Sequence, residues 1–192
     1  KGAACMDKRC QSGDVWQNPA LMEAVLQYIA TERGMNVQAV MPYADSLKYM
    51  ADWFCQLWAE SLGKDGQGIL PVSATGVTDQ HSVNQMFLDG RRNKGCIFLT
   101  GRRQQPGRAF GQDLPEKWAW LRGKPLGALL EAEALGTRMA LCMSGVPLVH
   151  LDMEDTGPRS AGAFMLLLEA ATLFTGWLME VNPLDQPAVE LG

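Results

Sequence analysis

The sequence predicts an α/β domain: a three-layer αβα sandwich with a mostly parallel sheet covered by helices on both faces. Three observations predict it. Short apolar runs alternate along the chain with longer stretches of helical periodicity. Those runs are close to continuously apolar, as strands buried on both faces require. Hydrophobic residues make up 47% of the 192 and charged residues 20%, the balance of one well-cored domain.

The elements follow in order. "NPALMEAVLQYIATERG" starts a helix with Asn18 as N-cap, Pro19 at the first helical position and Gly34 just past the end. Leu21, Val25, Leu26 and Ile29 supply its apolar face. "MNVQAVMPY" is a strand that Pro42 closes, and "SLKYMADWFCQLWAESLGK" an amphipathic helix ended by Gly63. "GILPVSATGV" reads as a second buried strand, with a helix after it through about Leu88. "GCIFLTGR" is a third apolar run, and Gln104 to Pro115 form an aperiodic loop punctuated by proline and glycine. "LGALLEAEALGTRMALCMSG" is a long helix with Gly145 as its stop, and "VPLVHLDMED" a fourth strand. "PRSAGAFMLLLEAATLFTGWLMEV" is a strongly apolar helix opened by Pro158, and "NPLDQPAVELG" begins a further helix. In sheets of this kind ligands gather where strands end and helices begin.

Composition removes several function classes. With a net charge of −4 there is no overall basic field to hold nucleic acid. Arg91, Arg92 and Lys94, and then Arg102 and Arg103, sit in glycine-rich sequence and read as solvated loops. The five cysteines, Cys5, Cys10, Cys55, Cys96 and Cys142, are odd in number and contain no CxxC pair. They fit reduced thiols of a cytoplasmic protein better than a disulfide framework, and with His81 and His150 they make a poor zinc set. The stretch Ala161 to Met179 has the length of a membrane span but carries Glu169, which favours a buried core helix. No secretory signal is visible at Lys1. The start without Met and the stop at "VELG" read as part of a longer protein. GxGxxG, GxxxxGK[ST] and GxSxG fingerprints are all absent.

Two residues draw attention on position alone. Gln56 and Glu60, four apart, share a helix face. Glu60 lies in the last turn, where the negative end of the helix and any burial both raise a carboxyl pKa toward that of a usable base. The alternative is a solvated glutamate paired with Lys64. His81 is one of two histidines and lies in a first turn behind Thr78 or Asp79 as N-cap, where a neutral imidazole is favoured. It reads either as a proton-handling ring or as a residue that helps cap a helix. His150, among apolar strand residues, reads as a satisfied core or sheet-edge histidine. Glu131, Glu133, Glu154 and Asp155 read as helix-surface and loop charges.

Three stretches together resemble the phosphoglucose isomerase (glucose-6-phosphate isomerase) family, and specifically its C-terminal sugar-isomerase half. They are "MPYADSLKYMADWFCQLWAESLGKDGQG", "PVSATGVTDQHSVNQMFLDG" and the terminal "NPLDQPAVELG"; "LLEAEALGTRMAL" between them is similar as well. The resemblance implies a flavodoxin-like domain of the sugar-isomerase (SIS) type over residues 1–192, truncated at both ends. It implies interconversion of glucose 6-phosphate and fructose 6-phosphate in glycolysis and gluconeogenesis, without metal or organic cofactor.

By the same resemblance, Glu60 moves the proton between C1 and C2 through a cis-enediol and His81 assists ring opening. Gln56 and Gln186 line the substrate site. In the family this histidine reaches the site from the neighbouring subunit, which implies a homodimer. Two departures stand out: Ala188 where the family has glycine, and an end at Gly192, before a lysine that takes part in the chemistry. The phosphate-gripping loop and an enediolate-steadying arginine belong to the family's other half, so the 192-residue piece is expected to be inactive alone. The other readings are a non-catalytic sugar-phosphate-binding module and an isomerase that also accepts mannose 6-phosphate.

Overall fold

A four-stranded parallel sheet in the order β2-β1-β3-β4 forms the middle layer of the molecule. The computed structural model describes residues 1–103 and 107–189. The strands are β1 (Val37–Pro42), β2 (Leu70–Ser73), β3 (Lys94–Arg103) and β4 (Leu148–Asp155), and every neighbouring pair is parallel. The helices are α1 (Gly2–Cys10), α2 (Pro19–Glu32), α3 (Lys48–Leu62), α4 (Gln80–Leu88), α5 (Leu126–Met143) and α6 (Pro158–Leu178).

The strand side chains alternate between two cores, as a period of two requires. Val40, Ile97 and Leu99 face α3 and α6, where they meet Leu47, Phe54, Trp58, Leu62 and Leu168. Ala39, Met41, Cys96 and Phe98 face α4 and α5, where they meet Phe87, Ala134 and Leu141. Burying each of the large aliphatic or aromatic side chains is worth roughly 1.5–3 kcal/mol. The three-layer sandwich is therefore present, with α1 and α2 added chiefly onto α6.

The N-cap of α2 is as expected: Asn18 Oδ1 accepts from the N–H groups of Ala20 and Leu21 at 3.1 and 3.0 Å. The buried face of α2 is not. Ala20, Glu23, Ala24 and Gln27 are buried, while Leu26 and Ile29 are 42% and 41% exposed. Small alanines let α2 lie close on α6, and that close approach outweighs the larger apolar residues. Glu23 is enclosed with Gln27 Nε2 donating to its Oε1 at 2.7 Å; burial pushes its carboxyl up to about 7, against the lowering effect of that bond.

Other expectations are corrected too. α1 was not visible in the sequence, which shows no apolar stripe there; it is held by docking on α6, with Gly2 against the backbone of Arg159. β2 is an edge strand rather than a buried one, with Leu70 63% exposed. β3 takes in Lys94, Arg102 and Arg103, so these basic residues sit on a strand rather than in a loop. Glu154 and Asp155 likewise belong to β4, and Asp155 Oδ1 accepts from Gly157 N–H and Ser160 Oγ to start α6. The loop over residues 107–115 leads into a 3-10 turn, Glu116–Leu121; residues 104–106 of that expected loop lie outside the described residues. After α6 the chain runs in turns and irregular structure over residues 181–188, and a 3-10 turn opens at Val189; residues 190–192, where the expected further helix would continue, lie outside the described residues. The α6 stretch is a core helix, with Phe164, Leu167, Leu168 and Ala171 buried and Glu169 exposed on its other side.

Candidate functional site

Glu60 and His81 stand at opposite ends of the sheet. α3 runs antiparallel to the strands, so its last turn lies at the end where strands begin. Fifteen residues at about 1.5 Å each carry it roughly 22 Å, the depth of the sheet. The exit from that turn confirms the placement, because Leu70 N–H donates to the carbonyl of Asn36, just before β1, at 3.0 Å. His81 is the second residue of α4, which follows the far end of β2. Its neighbour Gln80 donates to the Tyr43 hydroxyl, just past the end of β1. The general expectation of a site where strands end thus holds for His81 and fails for Glu60.

The Glu60 end is built from α3 and the segment after α6. Gln56 Nε2 donates to Glu60 Oε1 at 3.2 Å, one helical turn apart, with Glu60 half-buried and Gln56 exposed. The expected partner of Glu60, Lys64, turns instead to Asp185, 3.0 Å from its carboxylate. That carboxyl is held below its ordinary value, chiefly by the hydrogen bond from Lys64. Gln186, exposed, is the next residue, so Gln56, Glu60 and Gln186 occupy one end of the molecule. The sequence reading missed Lys64 in this role, and only its place after a helix end hinted at it.

The His81 end is organised by Asp79, which occupies the N-cap position of α4 without capping it through its side chain. Its Oδ2 instead accepts from Thr75 N–H at 2.5 Å, and its Oδ1 accepts from Ser82 Oγ at 3.3 Å. The carboxylate thereby ties the loop before the helix to the helix's first turn. Gly76 in that loop lies flat on the Tyr43 ring, where a Cβ would come within 2.4 Å of ring carbon. His81 is exposed at the rim of this packed corner.

His150 is the satisfied sheet-edge histidine expected. Arg138 Nη1 lies 2.7 Å from its Nδ1, and Thr100 Oγ1 lies 2.8 Å from its Nε2. An arginine only donates, and the same Nη1 also lies 3.0 Å from Nε2, so the guanidinium faces both ring nitrogens. Thr100 passes its own hydroxyl proton to Asp152 Oδ1 at 3.1 Å, and Arg102 Nε donates to Asp152 Oδ2 at 2.6 Å. Burial first, and then the Arg138 charge, lower the His150 pKa and keep the ring neutral. These groups line a cavity of about 240 Å³ against α5. Cys96 is buried and Cys5 and Cys142 are exposed, all as free thiols. Among the described residues no group of three His, Cys, Asp or Glu side chains could hold a metal ion.

A family model described as phosphoglucose isomerase matches residues 1–109. A protein named glucose-6-phosphate isomerase from Carboxydothermus hydrogenoformans is 39% identical over 100% of this chain and 43% of its own length. One of the same name from Methanocaldococcus jannaschii is 34% identical over 99% of this chain and 47% of its own. The crystal structure of a hypothetical protein from Thermus thermophilus superimposes with a TM-score of 0.93 at 32% identity, over 100% of this chain and 47% of that one. The chain thus spans less than half the length of these relatives.

Proposed function

The chain belongs to the phosphoglucose isomerase family, and on that premise we propose that it is the C-terminal sugar-isomerase half of an enzyme interconverting glucose 6-phosphate and fructose 6-phosphate. The observation that carries the reading is the Glu60 end: a half-buried carboxylate with one oxygen held by Gln56, and Lys64 just beyond it pairing with Asp185, the residue before Gln186.

Aldose–ketose isomerisation needs one base that removes the C2 proton and returns it to C1 through a cis-enediol. A carboxylate suits this when it is oriented and has a free lone pair toward the substrate. Gln56 fixes Glu60 Oε1, which leaves Oε2 to take the proton. His81 then serves ring opening, moving a proton between the ring oxygen and the O1 hydroxyl. Gln56 and Gln186 supply amide groups that hydrogen-bond the open-chain sugar.

One copy cannot bring Glu60 and His81 to a single substrate, because a sheet's depth separates them. The reading therefore includes a homodimer in which the partner supplies His81 to the Glu60 end. The remaining length of the protein supplies the rest of the site, so turnover belongs to the full-length enzyme. The isolated 192-residue chain is expected to show none.

Subunit mixing tests this. Glu60→Gln and His81→Ala full-length proteins are each expected to be inactive. Refolded together, they form heterodimers in which one of the two sites carries both native residues, so about a quarter of the native activity returns. Activity that never returns on mixing, with mixed dimers present, would refute the shared site. Assays on glucose, mannose and fructose phosphates set the substrate range; binding of all three with no turnover would leave a sugar-phosphate-binding module instead.

A further inference from the structure

We propose that Lys64 is a positioning residue that latches the segment after α6 onto the end of α3 and thereby holds Gln186 beside Glu60. Its functional consequence rests on the roles of Glu60 and Gln186 given above. Lys64 stands just past the last turn of α3, and its side chain is only 11% exposed. Its ammonium donates to the backbone oxygens of Asn182 and Asp185 and lies 3.0 Å from the Asp185 carboxylate. An ammonium has three N–H donors and no acceptor, so these oxygens satisfy it in full. An enclosed cation is retained only when paired in this way.

The acceptors lie 118 and 121 positions along the chain, so the latch exists only in the folded protein. The loop that bears Lys64 is shaped for gripping. Gln67 Nε2 adds a second brace, to the carbonyl of Met179 at 3.2 Å. Gly68 closes the loop at φ +99, and a Cβ there would come within 2.7 Å of the Leu62 carbonyl oxygen. The gripped segment is itself a preformed turn. Asn182 Nδ2 donates to Asp185 Oδ2 at 2.7 Å, and Asn182 Oδ1 accepts from Leu184 N–H at 3.1 Å. Val181 and Pro183 are buried, but every residue from Leu184 to Val189 is exposed. Lys64 is therefore the brace nearest Gln186, one residue beyond Asp185.

The test uses the full-length protein with Lys64→Met, Gln186→Ala and the double variant. Lys64→Met is expected to lower kcat/KM by about tenfold to a hundredfold, the scale of losing a positioned contact. Because Lys64 acts through Gln186, the double variant is expected to be no worse than Gln186→Ala alone; losses that multiply would overturn the proposal. Hydrogen exchange reads the latch without turnover. The amides of Leu184 and Val189 should exchange faster in Lys64→Met while those of α3 keep their protection, and unchanged exchange would equally overturn it. A native protein without isomerase activity would refute the functional reading while leaving this arm intact. Should Lys64→Met fail to fold, Asp185→Ala, at an exposed position, is expected to show the same non-additivity with Gln186→Ala, and additive losses there would count against the latch.

Discussion

The two ends of the sheet are built by different means. At the Glu60 end, side chains from one loop reach across more than a hundred residues to Asn182 and Asp185. At the His81 end, the side-chain ties among Thr75, Asp79 and Ser82 are local, while Gln80 and Gly76 join the corner to the sheet through Tyr43 and through Gly76 N–H donating to the Pro42 carbonyl at 3.0 Å. The contrast teaches that the Glu60 end is braced by distant parts of the fold, as the proposed role of an aimed base requires. The His81 corner is stiffened locally and leaves the ring exposed, which suits the proposed donation to a second subunit.

The largest effect should come from the Glu60 end. Glu60→Gln in the full-length enzyme is expected to lower kcat by about 10²–10⁴ while sugar-phosphate binding stays largely intact. Near-native turnover in a coupled isomerase assay would break the comparison, because the braced end would then carry no base.

Glu23 sharpens it by separating the scaffold's pH dependence from the site's. Its folded-state pKa of about 7 lies above the ordinary 4.5, so the unfolded chain releases this proton first as pH rises. Stability is unaffected below the unfolded value, falls as pH climbs from there to about 7, and levels off above it. The full loss is roughly 3 kcal/mol. Glu23→Gln is expected to remove that slope in urea titrations between pH 5 and 8, and an identical slope in both proteins would assign it elsewhere.

Gly76→Ala attacks the His81 corner by overpacking Tyr43, at a cost of about 2 kcal/mol. Subunit mixing should show that the variant still donates a working Glu60 but a poor His81. The smallest effect is Asp79→Ala, which frees Thr75 N–H, leaves the Ser82 hydroxyl only the Asp79 backbone carbonyl, and costs about 1 kcal/mol by thermal or urea unfolding. A larger loss than that of Gly76→Ala would mean the corner depends on its carboxylate more than on its packing.

The strands and most helices were legible because their signals are local: apolar runs, the Asn18 cap, Pro158 at a helix start. α1 and the buried face of α2 were not, since each depends on what lies across from it on α6. The same division runs through the candidate site. Gln56 and Glu60 share a face by helical spacing alone, and His81 announces itself in a first turn. That Lys64 pairs with Asp185 rather than Glu60 follows from a contact no local pattern encodes.

By itself the sequence determined the α/β layering, the residue types that could carry proton transfer and the family to which the chain belongs, because periodicity and motif spacing are local properties. Only the tertiary structure decided that Glu60 and His81 lie a sheet's depth apart, that the segment after α6 returns to the end of α3, and that Lys64 grips it at Asn182 and Asp185. Those relations depend on α3 running back along the sheet and on α6 ending beside it, which distant parts of the chain settle together.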